Sequence, residues 1–559
     1  MIYDFIVVGG GSSGAIIAAR LSEEPDCSVL LIEAGTDYEN LNELPDNVKK
    51  GFALDLPDGS SEDVPNWQYT GYRNKTNKID IPRGKIIGGS SSINGQIFLR
   101  GIPEDYDAWA EKGNDLWSFK NLINSLNRIE NDMDYSGDFH GNNGKITVKR
   151  FPKSKWSPTD MALYKSALEM GYPDCPDHNS PDASGVGPVP LNNDGLLLPD
   201  FRDGIRISSN VAYLSEARSR PNLTIKGNCF VRKILFREKG SNPLPVANGI
   251  EVESENTVYE IEGKTIILSA GSIGSPHLLL LSGIGPKKQL EEFEIEIIKD
   301  LPGVGKNLRD HPTVLPQYRV RDDFPQDWFG VPDRVCLRYT ATGSKLRNDM
   351  IIYANCVLGN ADLGRIGAHF YGDFSRKQNT GSEAGSETKD LEKDLLLIWR
   401  ARVNLAKGKG ELKLNSVNPI EHPHINYHFL ENKFDMKRLR EALGIVLKLV
   451  EHPLYKKWVT ERITPEDDDL KNEKTIEDWM VENVAHGHHI SGTCKMGPED
   501  DRMSVVNQYG EVHGLKGLMV ADASIMVDCI RANTNVTALM IGERIYELMH
   551  NSTNCNHKK

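Results

Sequence analysis

A glycine-rich turn between two apolar runs opens this sequence and restricts the folds that it can adopt. The apolar run Phe5–Val8 leads into Gly9, Gly11 and Gly14, which have the spacing of a dinucleotide-binding turn. Apolar residues continue after the turn and end at Glu33. The pattern predicts a strand, a tight turn, a helix and a second strand, the first unit of an α/β fold with a parallel sheet.

Each residue type in this unit has a physical role in holding a dinucleotide. Gly9 permits the tight turn, Gly11 lets the backbone approach a pyrophosphate, and Gly14 lets the helix pack closely on the strand. The helix, predicted over 15–21, offers free N–H groups and partial positive charge to the phosphates. Glu33, nineteen positions beyond Gly14, can accept hydrogen bonds from both ribose hydroxyls. The motif alone fits NAD and FAD equally well.

Length and composition limit the functional class. At 559 residues the chain is too long for one simple core, so we expect two domains. The net charge of −13 argues against nucleic acid or an anionic membrane as the main partner. No apolar run approaches the roughly 20 residues of a membrane span, and the first strand directly follows Met1, so we expect no signal peptide and a cytoplasmic protein. The eight cysteines show no CxxC spacing and are expected to be reduced.

Strand-like and helix-like segments alternate along the chain, which is typical of an α/β or mixed fold. The run Thr265–Ser269 leads into a second glycine-rich turn and an apolar helix. Near the end, Leu518–Ala521 leads into Asp522, and a helical pattern extends from Thr534 to about Met549. These segments are predicted to belong to one nucleotide-binding domain.

The nucleotide-binding domain is therefore predicted to be discontinuous. We assign it to residues 1–150, 206–312 and 476–559, and a substrate-binding domain to 151–205 and 313–475. The second domain is predicted to hold an antiparallel sheet and helices. Its strand-like runs include Met350–Tyr353 and Leu395–Trp399, and Met436–Leu449 has a helical pattern.

A histidine cluster near the end of the chain has two chemical interpretations. His486, His488 and His489 either ligate a metal or supply a single base. Zinc needs three or four ligands with suitable geometry, and adjacent residues of an extended chain point to opposite faces. We therefore predict no metal site and favour His489 as a base, because imidazole titrates near neutral pH.

Four further features indicate a ligand site less specifically. The glycine- and serine-rich segment Arg83–Gly95 is either an ordinary turn or a place where backbone approaches a flat ligand. Asp522, at the end of a predicted strand, is placed to accept from sugar or ribityl hydroxyls. Asn533 is either a helix cap or an active-site amide. Arg531 could face substrate, an acidic acceptor or solvent, and we favour a structural role.

Together, in this order, the motifs resemble the glucose–methanol–choline (GMC) family of FAD-dependent oxidoreductases, in particular its choline dehydrogenase-like and alcohol oxidase-like branch. The resemblance covers nearly the whole chain. Its blocks are Arg83–Asn94, Gly271–Pro286, Leu301–Pro312 and His489–Thr493. It implies a Rossmann-like FAD-binding domain and FAD rather than NAD as the cofactor.

The resemblance also implies roles for individual residues. His489 takes the position of the family's catalytic base, and Asn533 takes the second active-site position. Ile93 stands where some members carry the histidine that binds FAD covalently, so we predict non-covalent FAD. The predicted cofactor contacts are Gly9, Gly11, Ser12, Ser13, Gly14, Glu33, Ala34, Gly88, Gly89, Ser90, Asn94, Gly95, Val231, Ala270, Gly271, Asp522, Ala523, Asn533 and Thr534.

The activity that the resemblance implies is oxidation of a small primary or secondary alcohol to an aldehyde or ketone. Hydride would pass to flavin N5, with His489 as base, and oxygen or a quinone-like compound would be the electron acceptor. Two alternatives remain open at this point. One is an FAD-containing hydroxynitrile lyase, and the other is a flavoprotein electron carrier for another dehydrogenase. The sequence does not identify the alcohol.

Overall fold

The structure is a computed structural model that describes residues 2–50, 64–74, 76–198, 203–237, 244–325, 333–358 and 395–556. Its α-helices are α1 Ser12–Leu21, α2 Asp46–Lys49, α3 Pro103–Ala110, α4 Phe119–Ile129, α5 Pro158–Glu169, α6 Ser215–Ala217, α7 Gly271–Leu281, α8 Lys287–Glu292, α9 Lys433–Glu451, α10 Pro453–Lys456, α11 Glu473–Asn483 and α12 Thr534–Asn556. Its strands are β1 Tyr3–Val8, β2 Val29–Ile32, β3 Tyr69–Tyr72, β4 Lys78–Ile81, β5 Glu130–Asp132, β6 Ile146–Val148, β7 Gly185–Pro188, β8 Leu223–Lys226, β9 Phe230–Phe236, β10 Ala247–Ser254, β11 Thr257–Leu268, β12 Ile284–Gly285, β13 Lys299–Asp300, β14 Thr313–Val314, β15 Gln317–Val320, β16 Val335–Tyr339, β17 Met350–Leu358, β18 Leu395–Val403, β19 Glu411–Lys413, β20 His424–Asn426, β21 Val459–Thr464 and β22 Leu518–Val520.

A parallel sheet forms around β1. It runs in the order β8–β2–β1–β11–β22, and every neighbouring pair in this order is parallel. The other half of β11 pairs antiparallel with β10, which in turn pairs with β9. The predicted strands at the N-terminus and near residue 518 are confirmed, as is the mixed α/β fold class.

The apolar composition of the central strands follows from their burial on both faces. β1 ends in three fully apolar buried residues, and all four residues of β2 are buried. Helix α1 covers this part of the sheet and packs against α12. Ser13 Oγ donates to the Ala538 carbonyl at 2.6 Å, and a Cβ built on Gly542 would lie 2.8 Å from the Ser13 carbonyl oxygen. The two helices therefore touch through their backbones.

The carboxyl ends of the parallel strands meet at one edge of the sheet. Gly9 N donates to the Ile32 carbonyl, and Ser269 N donates to the Val8 carbonyl, both at 2.8 Å. Ala521 N donates to the Leu268 carbonyl at the same distance. The loops that follow β1, β11 and β22 are thus neighbours, which is where ligands bind in open α/β sheets.

A second large sheet is antiparallel, and most of its strands come from residues 313–464. It runs β21–β15–β18–β17–β16–β7, with β14 also paired to β18. Helix α9 packs on β18, and the Trp399 and Tyr455 rings lie 5.0 Å apart on that side. The strands predicted from residues 350 and 395 and the helix predicted over 436–449 are confirmed. The domain boundaries given above stay a prediction.

A smaller sheet joins early and late parts of the chain. It has the order β19–β20–β3–β4, so strands from residues 69–81 pair with strands from residues 411–426. Within the described ranges, no helix combines the length and the apolar character that crossing a membrane requires.

The close contact between α1 and the turn before it gives a stability prediction. A Cβ on Gly14 would lie 2.0 Å from the Gly9 carbonyl oxygen and 2.9 Å from Ser269 Cβ. Gly14→Ala should therefore lower the free energy of unfolding by about 1–3 kcal/mol or more, because backbone must move to admit the methyl group. A lowered melting temperature in differential scanning calorimetry would show this.

Gly444→Ala is the matched control, because Gly444 lies inside α9 with no atom within 4 Å of a built Cβ. This change should be neutral or stabilise the protein by up to about 1 kcal/mol. Equal melting temperatures for the two variants would contradict the proposed close packing of α1.

Candidate active site

One cavity touches both large sheets. Gly9 and Glu33 line it from the parallel sheet, Tyr353 and Arg402 line it from the antiparallel sheet, and His489 lines it as well. The predicted site residues that line it are Gly9, Gly11, Ser12, Ser13, Glu33, Ala34, Gly89, Ser90, Asn94, Gly95, Val231, Ala270, Gly271, His489, Asp522, Ala523, Asn533 and Thr534. Segments far apart in the chain thus converge on one space.

Two predicted cofactor residues, Gly14 and Gly88, are not among the residues that line this cavity. Gly14 lies beneath the first turn, against the Gly9 carbonyl. Gly88 has a φ of +91° and its N–H donates to the Gly10 carbonyl at 2.7 Å. Both residues shape the backbone around the cavity rather than its surface.

Glu33 is held at the cavity wall by backbone donors. Its Oε2 accepts from Gly10 N at 2.9 Å and its Oε1 from Gly35 N at 2.8 Å. Only 6% of the residue is exposed, and burial raises the pKa of its carboxyl group to about 7. Each oxygen retains a further lone pair, so the carboxylate fits the ribose hydroxyls of a dinucleotide.

The start of α1 offers an open cradle beside Glu33. The atom nearest to a Cβ built on Gly11 is Gly89 Cα, at 3.9 Å. Gly89 itself has a φ of +53°, and its own Cβ would lie 2.7 Å from Gly11 Cα. Ser272 Oγ, on another lining residue, is buried without a hydrogen-bond partner among the described residues. Free helix N–H groups and an unpaired hydroxyl fit the pyrophosphate of FAD.

Asp522 follows β22 and holds the start of α7 through hydrogen bonds. Its Oδ2 accepts from Gly271 N at 2.9 Å and from Ser275 Oγ at 2.5 Å, and its Oδ1 accepts from Ser524 N at 2.7 Å. Burial raises the pKa of this carboxyl group. These bonds fix the loop geometry, and a contact with a sugar or ribityl hydroxyl stays a prediction.

His489 lies in a chain of hydrogen bonds that the sequence alone did not reveal. Its Nδ1 is 2.8 Å from His311 Nδ1, and its Nε2 is 3.0 Å from Asn533 Nδ2. His311 Nε2 lies 2.9 Å from the carbonyl oxygen of Ile530. The residues come from three separate segments, so only folding brings them together.

This chain of bonds determines which nitrogen of His489 carries a proton. A carbonyl oxygen can only accept, so the His311 Nε2 must carry hydrogen. Burial, and then the charge of Arg402, lower the pKa of His311 to about 3, so the ring is neutral and its Nδ1 accepts. His489 Nδ1 must then donate, which leaves a lone pair on its Nε2.

The same environment keeps His489 unprotonated. Burial lowers its pKa well below its ordinary value, and the neighbouring His311 and Arg402 lower it further. A neutral imidazole with a lone pair on Nε2 can accept a proton from a ligand in the cavity. Asn533 Nδ2, which donates to that nitrogen, can donate equally to a ligand oxygen.

Asp310 and Gly487 set the spacing of the histidine pair. The Asp310 Oδ1 accepts from the backbone N–H groups of His311, Gly487 and His489 at 2.7, 3.0 and 3.0 Å. A Cβ on Gly487 would lie 2.9 Å from both His311 Cβ and His489 Nδ1. Asp310 and His311 belong to the block Leu301–Pro312 that resembles the family, which is the sequence signal for them, although no role for either residue follows from the sequence.

The three histidines of the cluster have different partners. His486 Nε2 is 2.8 Å from the Asp80 carbonyl oxygen, its ring stacks on Tyr427, and burial lowers its pKa to about 3. His488 lines the cavity with a φ of +64°. The His486 and His488 rings also contact each other, with centroids 4.3 Å apart, and the absence of a metal at this cluster stays a prediction.

A separate group of potential metal ligands is occupied by ion pairs. Atoms of Glu130, Asp132 and His140 lie within 4.8 Å of one another. Glu130 forms a salt bridge with Arg100, and Asp132 forms one with Arg150 at 2.9 Å. Burial opposes protonation of His140, but the carboxylates around it, first Asp132, raise its pKa to about 11. The histidine is therefore a cation in a charge network.

Arg531 has structural contacts. Its Nε donates to Asp105 Oδ1 at 2.6 Å, and its Nη1 donates to the Arg347 carbonyl at 2.8 Å. Its own carbonyl accepts from Arg338 Nη2 at 3.0 Å. Arg531 is not among the residues that line the cavity.

Family models, related sequences and a solved structure all relate this chain to similar proteins. The family models described as GMC oxidoreductase match residues 3–313 and 406–542. The chain is 31% identical to the glucose dehydrogenase [FAD, quinone] of Drosophila melanogaster, over 97% of this chain and 86% of the relative. It is also 31% identical to an oxygen-dependent choline dehydrogenase of Vibrio vulnificus, over 98% and 94% of the two chains. The structure of pyridoxine 4-oxidase from Mesorbium loti is similar with a TM-score of 0.81 and 25% identity, over 98% and 99% of the two chains.

The position of Glu33 gives a cofactor-binding prediction. Glu33→Ala should raise the dissociation constant for FAD by about 10–100-fold, because hydrogen bonds to a charged group contribute about 1.5–3 kcal/mol. Titration of the deflavinated protein with FAD, followed by quenching of flavin fluorescence, measures this constant.

Glu43→Ala is the control, since Glu43 is an exposed glutamate in the short helical turn Leu41–Glu43. It should bind FAD as the parent does. If the two variants bind FAD equally well, Glu33 does not contact the cofactor.

Proposed function

We propose that this chain, which belongs to the GMC oxidoreductase family of FAD-dependent enzymes acting on CH–OH groups, oxidises a small primary or secondary alcohol with His489 as the base. The product is the corresponding aldehyde or ketone. The observation that supports this most directly is the 3.0 Å contact between His489 Nε2 and Asn533 Nδ2 on the cavity wall.

A hydroxyl group that binds against both of these side chains has a partner for each of its roles. Its hydrogen can be donated to the lone pair on His489 Nε2 in place of the bond from Asn533, and its oxygen can then accept from Asn533 Nδ2. As the proton leaves, the amide stabilises the negative charge that develops on the alcohol oxygen. The buried, neutral state of His489 is the state that a base requires.

His311 acts as a positioning residue in this proposal. By accepting from His489 Nδ1, it keeps the hydrogen of the neutral ring on that nitrogen and the lone pair on Nε2. Its own orientation depends on the bond from its Nε2 to the Ile530 carbonyl. The hydrogen bonds therefore run from the Ile530 carbonyl through His311 to His489, and no charged side chain takes part in them.

When bound, FAD would be the oxidant and would accept a hydride, with its two electrons, from the carbon that bears the hydroxyl. Among this chain's residues, Gly11, Ser12 and Glu33 would hold its adenosine and pyrophosphate parts, and Ser90 and Asn94 would lie along the flavin. The side chain at position 93 is the alkyl group of Ile93, which supplies no nitrogen for covalent attachment. We therefore propose non-covalent FAD.

The electron acceptor in this proposal is oxygen or a quinone-like compound. The relatives are named as an FAD, quinone glucose dehydrogenase and an oxygen-dependent choline dehydrogenase, so both acceptor types occur among similar proteins. Anaerobic mixing of the purified protein with a panel of alcohols tests the proposed function. Bleaching of the visible flavin band by one class supports it, and readmitting air then separates oxidase from dehydrogenase behaviour.

Substitution of His489 tests its role as base. His489→Ala should slow anaerobic flavin reduction by about 10²–10⁴-fold while FAD stays bound, because general-base catalysis contributes about that factor. Asn533→Ala should lose less, since it removes one hydrogen bond. Stopped-flow absorbance measures both rates.

His424→Ala is the control variant, because His424 is exposed on β20 and does not line the cavity. It should reduce its flavin at the parental rate. Parental rates in His489→Ala would show that another group accepts the proton.

The burial of His489 predicts the pH dependence of the reaction. A base works in its unprotonated form, so activity is lost as the pH falls through its pKa. Because the pKa of His489 is lowered well below its ordinary value, the rate of flavin reduction should stay constant when the pH falls from about 8 to about 6. A titration with its midpoint near 6.5, at constant FAD content, would show that the histidine is not buried as described.

A further inference from the structure

One wall of the cavity is a face of the antiparallel sheet that carries arginines. Side chains alternate along a strand, so Arg400 and Arg402 of β18 share one face while Trp399 and Ala401 share the other. The ring of Trp399 lies beside Tyr455 on the helix-covered side. The arginine face is the one that lines the cavity, together with the paired residue Tyr353 of β17.

Two of the three arginines on this face bond to other parts of the protein through their terminal nitrogens, although the Nε of each is buried without a hydrogen-bond partner in the described ranges. Arg338, on β16, donates to the carbonyl oxygens of His178 and Arg531 at 2.7 and 3.0 Å. Arg400 forms a salt bridge with Asp333. Their charges are therefore compensated or bonded within the protein.

Arg402 is different. Its Nε donates to Thr313 Oγ1 at 3.1 Å, and its guanidinium carbon is 5.8 Å from the centre of the Tyr353 ring. Its terminal nitrogens make no hydrogen bond or salt bridge with any residue in the described ranges. The residue is 8% exposed, and the nearby Tyr353 hydroxyl is also buried without a partner in that part of the chain.

A guanidinium that is buried with free donors is costly unless an anion pairs with it. Arg402 lies close to the histidine pair, because the Thr313 hydroxyl that accepts from its Nε donates in turn to the His311 carbonyl at 3.1 Å. Its charge lowers the pKa of both His311 and His489. An anionic group bound to Arg402 would therefore occupy the same part of the cavity as the proposed base.

The charges on this part of the wall favour an anion over a cation. The charged lining residues away from the dinucleotide cradle are Arg83, Arg400 and Arg402, with Asp333 as the single acid among the described ones. Asp333 is paired with Arg400, and the buried Asp310 interacts electrostatically with Arg83 and Arg402. Three arginines still outnumber two acids, so a quaternary ammonium group would meet an excess of positive charge here.

We propose that the alcohol oxidised by this enzyme is a hydroxy acid whose carboxylate is bound by the terminal nitrogens of Arg402. This inference rests on the proposed function and adds a substrate class to it. The planar fork of a guanidinium matches a carboxylate with two parallel hydrogen bonds. In the reaction the C–H bond breaks with its electron pair going to FAD, the O–H proton goes to His489, and the product is an oxo acid with its carboxylate unchanged.

Matched pairs of alcohols test the proposal. Glycolate, lactate and hydroxymethylbenzoate are each compared with the corresponding amide, which has the same skeleton without the charge, and choline is added as a cationic alcohol. The second-order rate constant for anaerobic flavin reduction should be at least about tenfold higher for the best acid than for its amide. Choline should react more slowly than either.

Variants at Arg402 assign the preference to this side chain. Arg402→Met should bring the ratio of acid to amide close to one, and Arg402→Lys should retain part of it, because lysine keeps the charge without the fork. Arg321→Met is the matched control, since Arg321 is an exposed arginine paired with Asp323, and it should keep the parental ratio.

A binding measurement complements the kinetics and needs no turnover. Acetate and benzoate cannot be oxidised as alcohols, and they should raise the melting temperature of the FAD-loaded parent but not of Arg402→Met. Acetamide and benzamide should have little effect on either protein.

The outcomes separate the two proposals. Faster reduction by amides or by choline, or an acid preference that persists in Arg402→Met, would overturn the hydroxy-acid inference while leaving alcohol oxidation intact. No reduction by any alcohol, with FAD firmly bound, would instead overturn the proposed function.

Discussion

Parallel pairing of β1 with β2 and β11 is the interaction on which the rest of this structure depends. It places residues 8, 32 and 268 side by side, although they are far apart in the chain. The turns that follow these residues then meet at one edge, where the dinucleotide cradle forms. A Cβ at position 14 would lie 2.0 Å from the Gly9 carbonyl oxygen, so glycine there lets α1 pack directly against the turn after β1.

Buried polar groups shape the cavity in two different ways. Asp310 and Glu33 are buried carboxyl groups that accept two or three backbone N–H bonds each and so hold loops in place, although Asp310 Oδ2 is buried without a hydrogen-bond partner in the described ranges. Arg402 donates one hydrogen bond, from its Nε to Thr313 Oγ1, and its terminal nitrogens have no partner in the described ranges. The two carboxyl groups hold the loops of the site in position. Arg402 is instead the part of the cavity wall that, in our proposal, distinguishes one ligand from another.

Sequence reasoning succeeded where structure follows local patterns. The strand β2 and the start of α12 lie where periodicity and glycine spacing placed them, and the strands β17 and β18 begin at the predicted residues. Most predicted site residues line the cavity. Many of them lie in turns that follow strands, and the order of strands and helices along the chain indicates where those turns lie. Gly14 and Gly88 do not, since a glycine that shapes a turn lies behind the surface that it creates.

The sequence by itself determined the fold class, the dinucleotide motif and the two residues, His489 and Asn533, that it marked as active-site candidates. Only the tertiary structure decided that His311 is the partner that sets the tautomer of His489, because the two lie 178 positions apart. It also decided that the terminal nitrogens of Arg402 have no protein partner in the described ranges, whereas Arg338 and Arg400 use terminal nitrogens in bonds to the protein. The reason is physical: local periodicity fixes which face of a strand a side chain occupies, but its hydrogen-bond partners depend on which distant segments pack against that face.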